Sequence, residues 1–272
     1  MISPAALDVA CAWGQVSGTR EYQEDAATVI RWPNGFHLLL LADGMGGHQG
    51  GAKASRLLIE SIRDSFGAAW ADSNGSATAA LVGALQVANL SIYHAAEQDP
   101  ALAGMGATLV AATIGDGLLE WLSVGDSLLL LLREGQLTRL NADHSMAPEL
   151  AKRVATGEMT EAEALQSPLR SELLTAVNGE DITLVDISKA PRQLRVGDVL
   201  IVASDGLNAL EPHRLTELLN QSDKQPQTLV ESVLDEVGTI RGRSLDNTTL
   251  IAVRIGNGKC PSHNHESKNE DA

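Results

Sequence analysis

The sequence predicts an α+β fold built on antiparallel sheets, and three observations carry that expectation. Short apolar runs follow one another through turn signals from Gly104 to Leu140, which reads as a meander of antiparallel strands. Two long segments, one after Gly51 and one from Ala77 to Gln98, carry their apolar residues on a single helical face. Between the opening strands and these helices lies LLLLADGMGGHQGG, Leu38 to Gly51, a buried strand that ends at Asp43 and meets a loop with five glycines among its next eight residues.

The 272 residues could form one large domain or two small ones, and 44% hydrophobic composition suffices for a core. There is no run of about 18 apolar residues and no basic, apolar, small-residue signal order at the start, so a cytoplasmic protein is expected. Cys11 and Cys260 are too few for a disulfide framework. A formal net charge of −15 disfavours nucleic acid and anionic membranes as partners, and an anionic substrate would need local cations.

Taken in order, Asp8 opens a first strand in which Val9, Cys11, Trp13 and Val16 alternate with small residues, limited by Gly14 and Gly18. Arg20, Glu24 and Asp25 stand just ahead of a second strand, Ala26 to Trp32. Pro33, Asn34 and Gly35 turn the chain back into Phe36 to Ala42, and antiparallel pairing then sets Glu24 and Asp25 near Asp43. Read alone, the charged cluster also fits a solvated loop, and Asp43 a helix cap. Ala54, Leu58, Ile62 and Phe66 mark the apolar face of one helix, and Leu81, Leu85, Ala88 and Ile92 that of the next.

Strands are expected at Gly104 to Ala112, Leu118 to Val124, Leu128 to Leu132 and Gln136 to Leu140, with Gly125-Asp126-Ser127 as one of the turns. Asp143, His144 and Ser145 close the meander. Residues 146–172 are polar and weakly helical, and read as a mobile surface flap. Leu173 to Val177 and Ile182 to Ile187 read as short strands. Asp198 to Ala203 is another buried strand, ending in Ser204-Asp205-Gly206 as the earlier one ends in Asp43-Gly44. Helices follow from Pro212 and Pro226, the second with Leu229, Val233 and Val237 on one face. Asp246 and Asn247 lead a last strand, Thr248 to Ile255. Residues 257–272 read as a disordered polar tail in which His263 and His265 are better taken as neutral histidines than as a metal pair.

Acidic residues therefore recur at the ends of core strands. Two carboxylates ~4 Å apart repel by ~4 kcal/mol at an effective dielectric near 20, so protonation or divalent cations must offset their grouping. Oxygen-only ligands favour magnesium or manganese, and the core has no thiolate or paired-histidine spacing for zinc.

Seven segments now form a pattern: RxxxED at Arg20 to Asp25, DGMGGHxxG at Asp43 to Gly51, GATLVAA at Gly106 to Ala112, VGDS at Val124 to Ser127, DHS at Asp143 to Ser145, SDGL at Ser204 to Leu207 and DNTT at Asp246 to Thr249. In that order they resemble the metal-dependent protein serine/threonine phosphatases of the type 2C (PPM) family, in their compact bacterial form. The resemblance implies one catalytic domain over residues 1–256, a four-layer αββα sandwich of two antiparallel sheets flanked by helix pairs. It implies hydrolysis of phosphoserine and phosphothreonine in proteins by a water shared between two Mn2+ or Mg2+ ions, with no phosphoenzyme, and a third, weaker ion. By the same resemblance Asp43 bridges the two metals, the Gly44 carbonyl binds one, and Asp205 and Asp246 bind the other. Glu24 joins directly or through water, Asp126 belongs to the third site, Asp25 hydrogen-bonds metal-bound water, and Arg20 grips the phosphate. Partners implied are phosphorylated proteins, including a serine/threonine kinase or its targets, acted on by a monomer.

Two departures stand out. The position after Gly125-Asp126-Ser127, often arginine in the family, is Leu128, which puts a polar contact in doubt. Met45 follows the Asp43-Gly44 pair, so the proton for the leaving group could come from His48, His144 or metal-bound water. Leu128 also spells the GDSL signature of serine esterases, which would make Ser127 a nucleophile; the DxxH that such a reading requires is absent from the sequence. A third reading is a catalytically silent relative that binds phosphoproteins, against which stands the presence of every expected acidic ligand.

Overall fold

The computed structural model describes residues 7–47, 49–221, 225–242 and 244–257. Its strands form two sheets in which every pairing is antiparallel. One runs in the order β1 (Leu7–Val16), β12 (Thr248–Asn257), β11 (Val199–Ala203), β7 (Leu128–Arg133) and β8 (Gln136–Arg139). The other runs β10 (Arg192–Gln193), β6 (Leu118–Val124), β5 (Leu109–Gly115), β3 (His37–Met45) and β2 (Asp25–Arg31), with β4 (Gly106–Ala107) on β3 and β9 (Asp186–Ile187) on β6.

The central strands are apolar at every position because both of their faces are covered. Along β3, Leu39 and Leu41 face the other sheet, packing in one cluster with Leu129, Leu131, Leu200, Val202, Ile251 and Val253. Leu38, Leu40 and Ala42 face outward onto α1 (Gln49–Asp72) and α2 (Ala77–Gln98), meeting the expected stripes of both helices. The same alternation in β7 sends Leu128, Leu130 and Leu132 outward onto α5 (Pro212–Leu219) and α6 (Pro226–Thr239). Helix pair, sheet, sheet, helix pair is the expected αββα sandwich. Of the described helices, α2 has the length and apolarity of a membrane span at 22 residues, yet Leu81, Leu85, Ala88 and Ile92 are buried against α1 and the sheet.

The hairpin forms as expected, with the Trp32 N–H donating to the Phe36 carbonyl at 2.9 Å. Other boundaries move. β1 continues through Gly14 because a Cβ there would stand 2.9 Å from the Val230 side chain of α6, so the glycine makes room for a helix instead of ending the strand. β3 carries on past Asp43 to Met45, since β4 gives its last residues a partner. The strand expected over 104–112 is broken at Thr108, whose backbone and hydroxyl both turn to Asp43. Leu173 to Val177 makes only single bridges, Ser145 to Leu173 and Ala107 to Val177, and Ile182 to Ile187 shortens to β9. The flap holds α3 (Ala147–Ala155) and α4 (Glu161–Gln166), and its two ends are tied by the Met146 N–H to the Glu172 carbonyl at 2.9 Å and the Leu174 N–H to the His144 carbonyl at 2.8 Å. The tail from 258 lies outside the described residues.

Where β3 meets the first turn of α1 the backbones nearly touch. A Cβ on Gly44 would stand 2.1 Å from the Gly51 carbonyl oxygen and 2.6 Å from that of Glu24. The glycine-rich loop therefore serves the approach of helix to strand. Gly44→Ala is expected to lower the unfolding free energy of metal-free protein by about 2–3 kcal/mol, read by urea denaturation, because backbone cannot yield as a side chain would.

Candidate active site

Both sheets deliver their acidic residues to one rim. Asp25 begins β2 and Asp43 lies directly opposite it in β3. Glu24 precedes β2, Asp126 sits in the turn from β6 to β7, Asp205 opens a short 3-10 turn two residues after β11, and Asp246 stands two residues before β12. A small set of buried hydroxyls and amides fixes these positions across the sandwich. The Ser204 hydroxyl donates to Asp25 Oδ2 (2.8 Å) and accepts from the Thr249 N–H (2.9 Å), tying the rim of one sheet to that of the other. Asn247 accepts the Glu24 N–H (2.8 Å) and donates Nδ2 to the Ser17 and Tyr22 carbonyls, both at 3.0 Å. Thr108 Oγ1 accepts the Asp43 N–H (3.1 Å) and shares a hydrogen bond with Ser127 Oγ (2.7 Å), next to Asp126. Arg139 closes the far side, donating to the Asp126 carbonyl (2.8 Å) and pairing with Asp143 (2.9 Å).

The electrostatics follow from this crowding. Burial, reinforced by Asp25, Asp205, Asp126 and Asp246, holds the Asp43 carboxyl well above the usual carboxylate range. Burial, then the charge of Asp205, pushes Asp25 up to about 6, against the opposing pull of the Thr249 and Ser204 hydroxyls. Asp126 is raised to about 7 by burial, Asp205 and Asp143, with Arg139 opposing. Asp205 is raised by burial and by Asp246. Asp25 Oδ1 is a buried acceptor without a hydrogen bond of normal geometry. A group of this kind calls for protons or cations, and its all-oxygen donors fit hard divalent metals. The side chains are gathered but not closed into a cage: among the described residues no three converge as ready metal ligands, and Asp246 Oδ2 instead takes the Arg20 guanidinium at 2.6 Å.

The structure thus brings Glu24, Asp25, Asp43, Gly44, Asp126, Asp205 and Asp246 to one rim with Arg20 beside them. His144 is buried, its Nδ1 accepts the Gly125 N–H (3.3 Å), and burial lowers its pKa, so it holds the Gly125 turn as a neutral ring. Ser127 is 1% exposed with its hydroxyl committed to Thr108, which removes the esterase reading. His48, His263 and His265 lie outside the described residues. Sequence reasoning gave no role to Thr108, Ser204, Asn247 or Arg139. Ser204 and Asn247 did carry a signal, a small polar residue beside an acidic one at the end of an apolar run, and Thr108 a weaker one, a hydroxyl within an apolar run; Arg139 carried none.

Two antiparallel sheets stacked between helix pairs, with acidic oxygen donors from both sheets at a shared rim and an arginine beside them, define a class of metal-dependent phosphoester hydrolases. The profile of protein phosphatase 2C matches residues 18–237. The serine/threonine phosphatase stp of Listeria monocytogenes serovar 1/2a is 31% identical over 239 residues, covering 86% of this chain and 90% of that protein. The crystal structure of the Mycobacterium tuberculosis serine/threonine phosphatase PstP/Ppp superposes with a TM-score of 0.71 at 29% identity, over 91% of this chain and 99% of that one. A structure of the PstP catalytic domain in complex with two manganese ions matches at 0.69 and 28%, over 92% and 99%. This chain belongs to the protein phosphatase 2C family.

The raised carboxyls set a pH dependence for metal-free protein. A carboxyl whose folded pKa lies above its unfolded value of about 4 adds stability below that value, and the contribution is lost as pH rises through the folded pKa. Metal-free protein should therefore lose thermal stability between about pH 4 and 7.5, through the transitions near 6 for Asp25 and 7 for Asp126. Asp126→Asn should flatten the upper part of that curve, and Mn2+ should restore the lost stability at neutral pH. Scanning calorimetry across pH, with and without metal, checks the sign.

Proposed function

We infer that this chain is a divalent-metal-dependent protein phosphatase that removes phosphate from serine and threonine in phosphorylated proteins, a kinase or its targets among them. The observation that carries this is the gathering of buried and half-buried carboxylates from both sheets at one rim, with raised pKa values and an arginine at its edge. Asp43, the Gly44 carbonyl, Asp205, Asp246 and Glu24 are the groups that would hold two tightly bound Mn2+ or Mg2+ ions, and Asp126 a third, weaker one. When bound, these ions supply Lewis acidity towards the phosphoryl oxygens and lower the pKa of water towards neutrality.

The chain's own residues supply the rest. Arg20 has two N–H edges suited to paired phosphoryl oxygens, and lies about half exposed where a substrate can meet it. Asp25 is held by Ser204 through Oδ2 with the Thr249 hydroxyl close by, and its Oδ1, without a hydrogen bond of normal geometry, can accept a hydrogen from the attacking water. With His144 committed to the Gly125 N–H, the described residues offer no imidazole placed to protonate the leaving alkoxide.

The test is hydrolysis of para-nitrophenyl phosphate and a phosphothreonine peptide by metal-stripped protein with Mn2+, Mg2+, Ca2+ or Zn2+ added back. Mn2+ or Mg2+ should restore turnover, and silence with all four in folded protein would overturn the reading. Asp43→Ala and Asp205→Ala should each lower kcat by about a thousandfold, ~4 kcal/mol of transition-state stabilisation, without unfolding the chain. Arg20→Ala should raise KM for the phosphopeptide about tenfold, roughly the 1.4 kcal/mol of a charge-assisted hydrogen bond. Asp126→Ala should spare the two tighter ions in a calorimetric Mn2+ titration and remove the weak phase.

A further inference from the structure

A second cleft opens beside the acidic rim, apart from the wider one of about 850 Å3 that flap residues Leu165 and Arg170 share with Asp126 and Asp205. It measures about 460 Å3, and Tyr22, Gln23, Gln49, Lys53, Arg56 and Asp99 are among the residues lining it. Its position follows from chain geometry. Tyr22 and Gln23 immediately precede Glu24, and α1 leans on Glu24 so closely that a Cβ on Gly51 would stand 2.6 Å from Glu24 Oε1. Lys53 and Arg56 follow two and five residues later, about 3 and 7.5 Å along the helix axis at ~1.5 Å per residue.

The cations of this cleft, like Arg170 of the wider one, stand exposed. Arg20 is tied to Asp246 and Arg139 to Asp143, whereas Lys53 and Arg56 are exposed and form no ion pair among the described residues. Arg56 lines the cleft, and its Nε donates to the Ala52 carbonyl at 2.8 Å, which steadies the side chain along α1. Asp99, the acid in the same cleft, accepts the Ala101 N–H through Oδ1 at 3.0 Å. A chain with a net charge of −15 repels phosphopeptides at long range, so two uncommitted cations within reach of the rim are placed where that repulsion must be locally reversed. An extended peptide advances about 3.3 Å per residue, so residues about two to four positions from the reacting one lie roughly 7–13 Å from it, the range over which a side chain can reach a neighbouring cleft.

Resting on the phosphatase reading above, we propose that this cleft is a substrate subsite in which Lys53 and Arg56 receive an anionic side chain of the phosphopeptide. A carboxylate or a second phosphoryl group would serve, placed about two to four residues from the phosphorylated serine or threonine. The subsite sets which phosphoproteins are preferred, and acts through KM.

The test uses phosphothreonine peptides identical except for Gln, Glu, Lys or a second phosphothreonine placed three residues to either side. Wild-type protein loaded with Mn2+ is compared with Lys53→Ala/Arg56→Ala and Lys53→Glu/Arg56→Glu. At low ionic strength kcat/KM for the acidic peptide on the favoured side should exceed that of the Gln peptide by about three- to tenfold through KM, the range expected of two exposed charge pairs, and the excess should shrink at high salt. That ratio should fall to about one in the alanine variant and reverse in favour of Lys in the glutamate variant. Anisotropy of labelled peptides carrying a non-hydrolysable phosphonate should give the same order of ratios without turnover. Equal kcat/KM for all wild-type peptides, or an equal loss on acidic and Gln peptides in the alanine variant, would overturn the subsite. Ordered binding ratios in a protein that hydrolyses nothing would overturn the phosphatase reading and leave the subsite standing.

Discussion

The constraint on which this structure depends is the mutual repulsion of carboxylates held at one rim of a sandwich. A pair ~4 Å apart at an effective dielectric near 20 costs ~4 kcal/mol, a large share of the net stability of a domain. Burial raises the cost, as the elevated carboxyls of Asp43, Asp25 and Asp126 record. The fold withstands this because the acidic residues are anchored through backbone while their side chains are left to find cations. Asp43 is fixed by two hydrogen bonds to Thr108, and Glu24 through its N–H to Asn247. Asp25 is held by the Ser204 hydroxyl on Oδ2 with the Thr249 hydroxyl close by, and its Oδ1 has no hydrogen bond of normal geometry.

The sandwich itself makes that anchoring possible. An αββα stack needs central strands with two apolar faces, so their acids stand at the rim, past the apolar run, where cations and water can reach them. Leu38 to Ala42 spend both faces on packing, and the first polar position after them is Asp43. Val199 to Ala203 do the same before Ser204 and Asp205. Two strands that belong to different sheets thus end in the same chemistry at the same edge. Ser204, reaching from the end of β11 to Asp25 on β2, holds the two ends in register.

How much of this was legible in the sequence depended on whether the signal was local. The stripes of α1 and α2, the hairpin closed by Pro33-Asn34-Gly35, and acids terminating apolar runs are local, and the structure reproduces them. The strand over 104–112 was misread because its break answers a partner distant in sequence: Thr108 leaves the ladder to bond Asp43. Gly14 looked like a strand limit, yet it is explained only by α6, more than two hundred residues later. Leu173 to Val177 had strand composition but lies along the flap root, where only single bridges are available. Arg139 was invisible for the same reason. Nothing near it in the chain says that it will cap the Asp126 carbonyl, and the loss of the expected arginine at position 128 becomes intelligible only once Leu128 is seen packed into the outward-facing core beside α5 and α6.

Charge is distributed to suit an enzyme that repels what it must bind. With a net charge of −15, little general attraction for phosphoproteins is available, and their capture depends on cations close to the rim. Arg20, about half exposed, shares one edge of its guanidinium with Asp246 at 2.6 Å. Lys53 and Arg56, exposed on α1, add positive surface beside the rim. The long-range repulsion of the chain then works as a filter, admitting peptides that present charge in the right place and holding off those that do not.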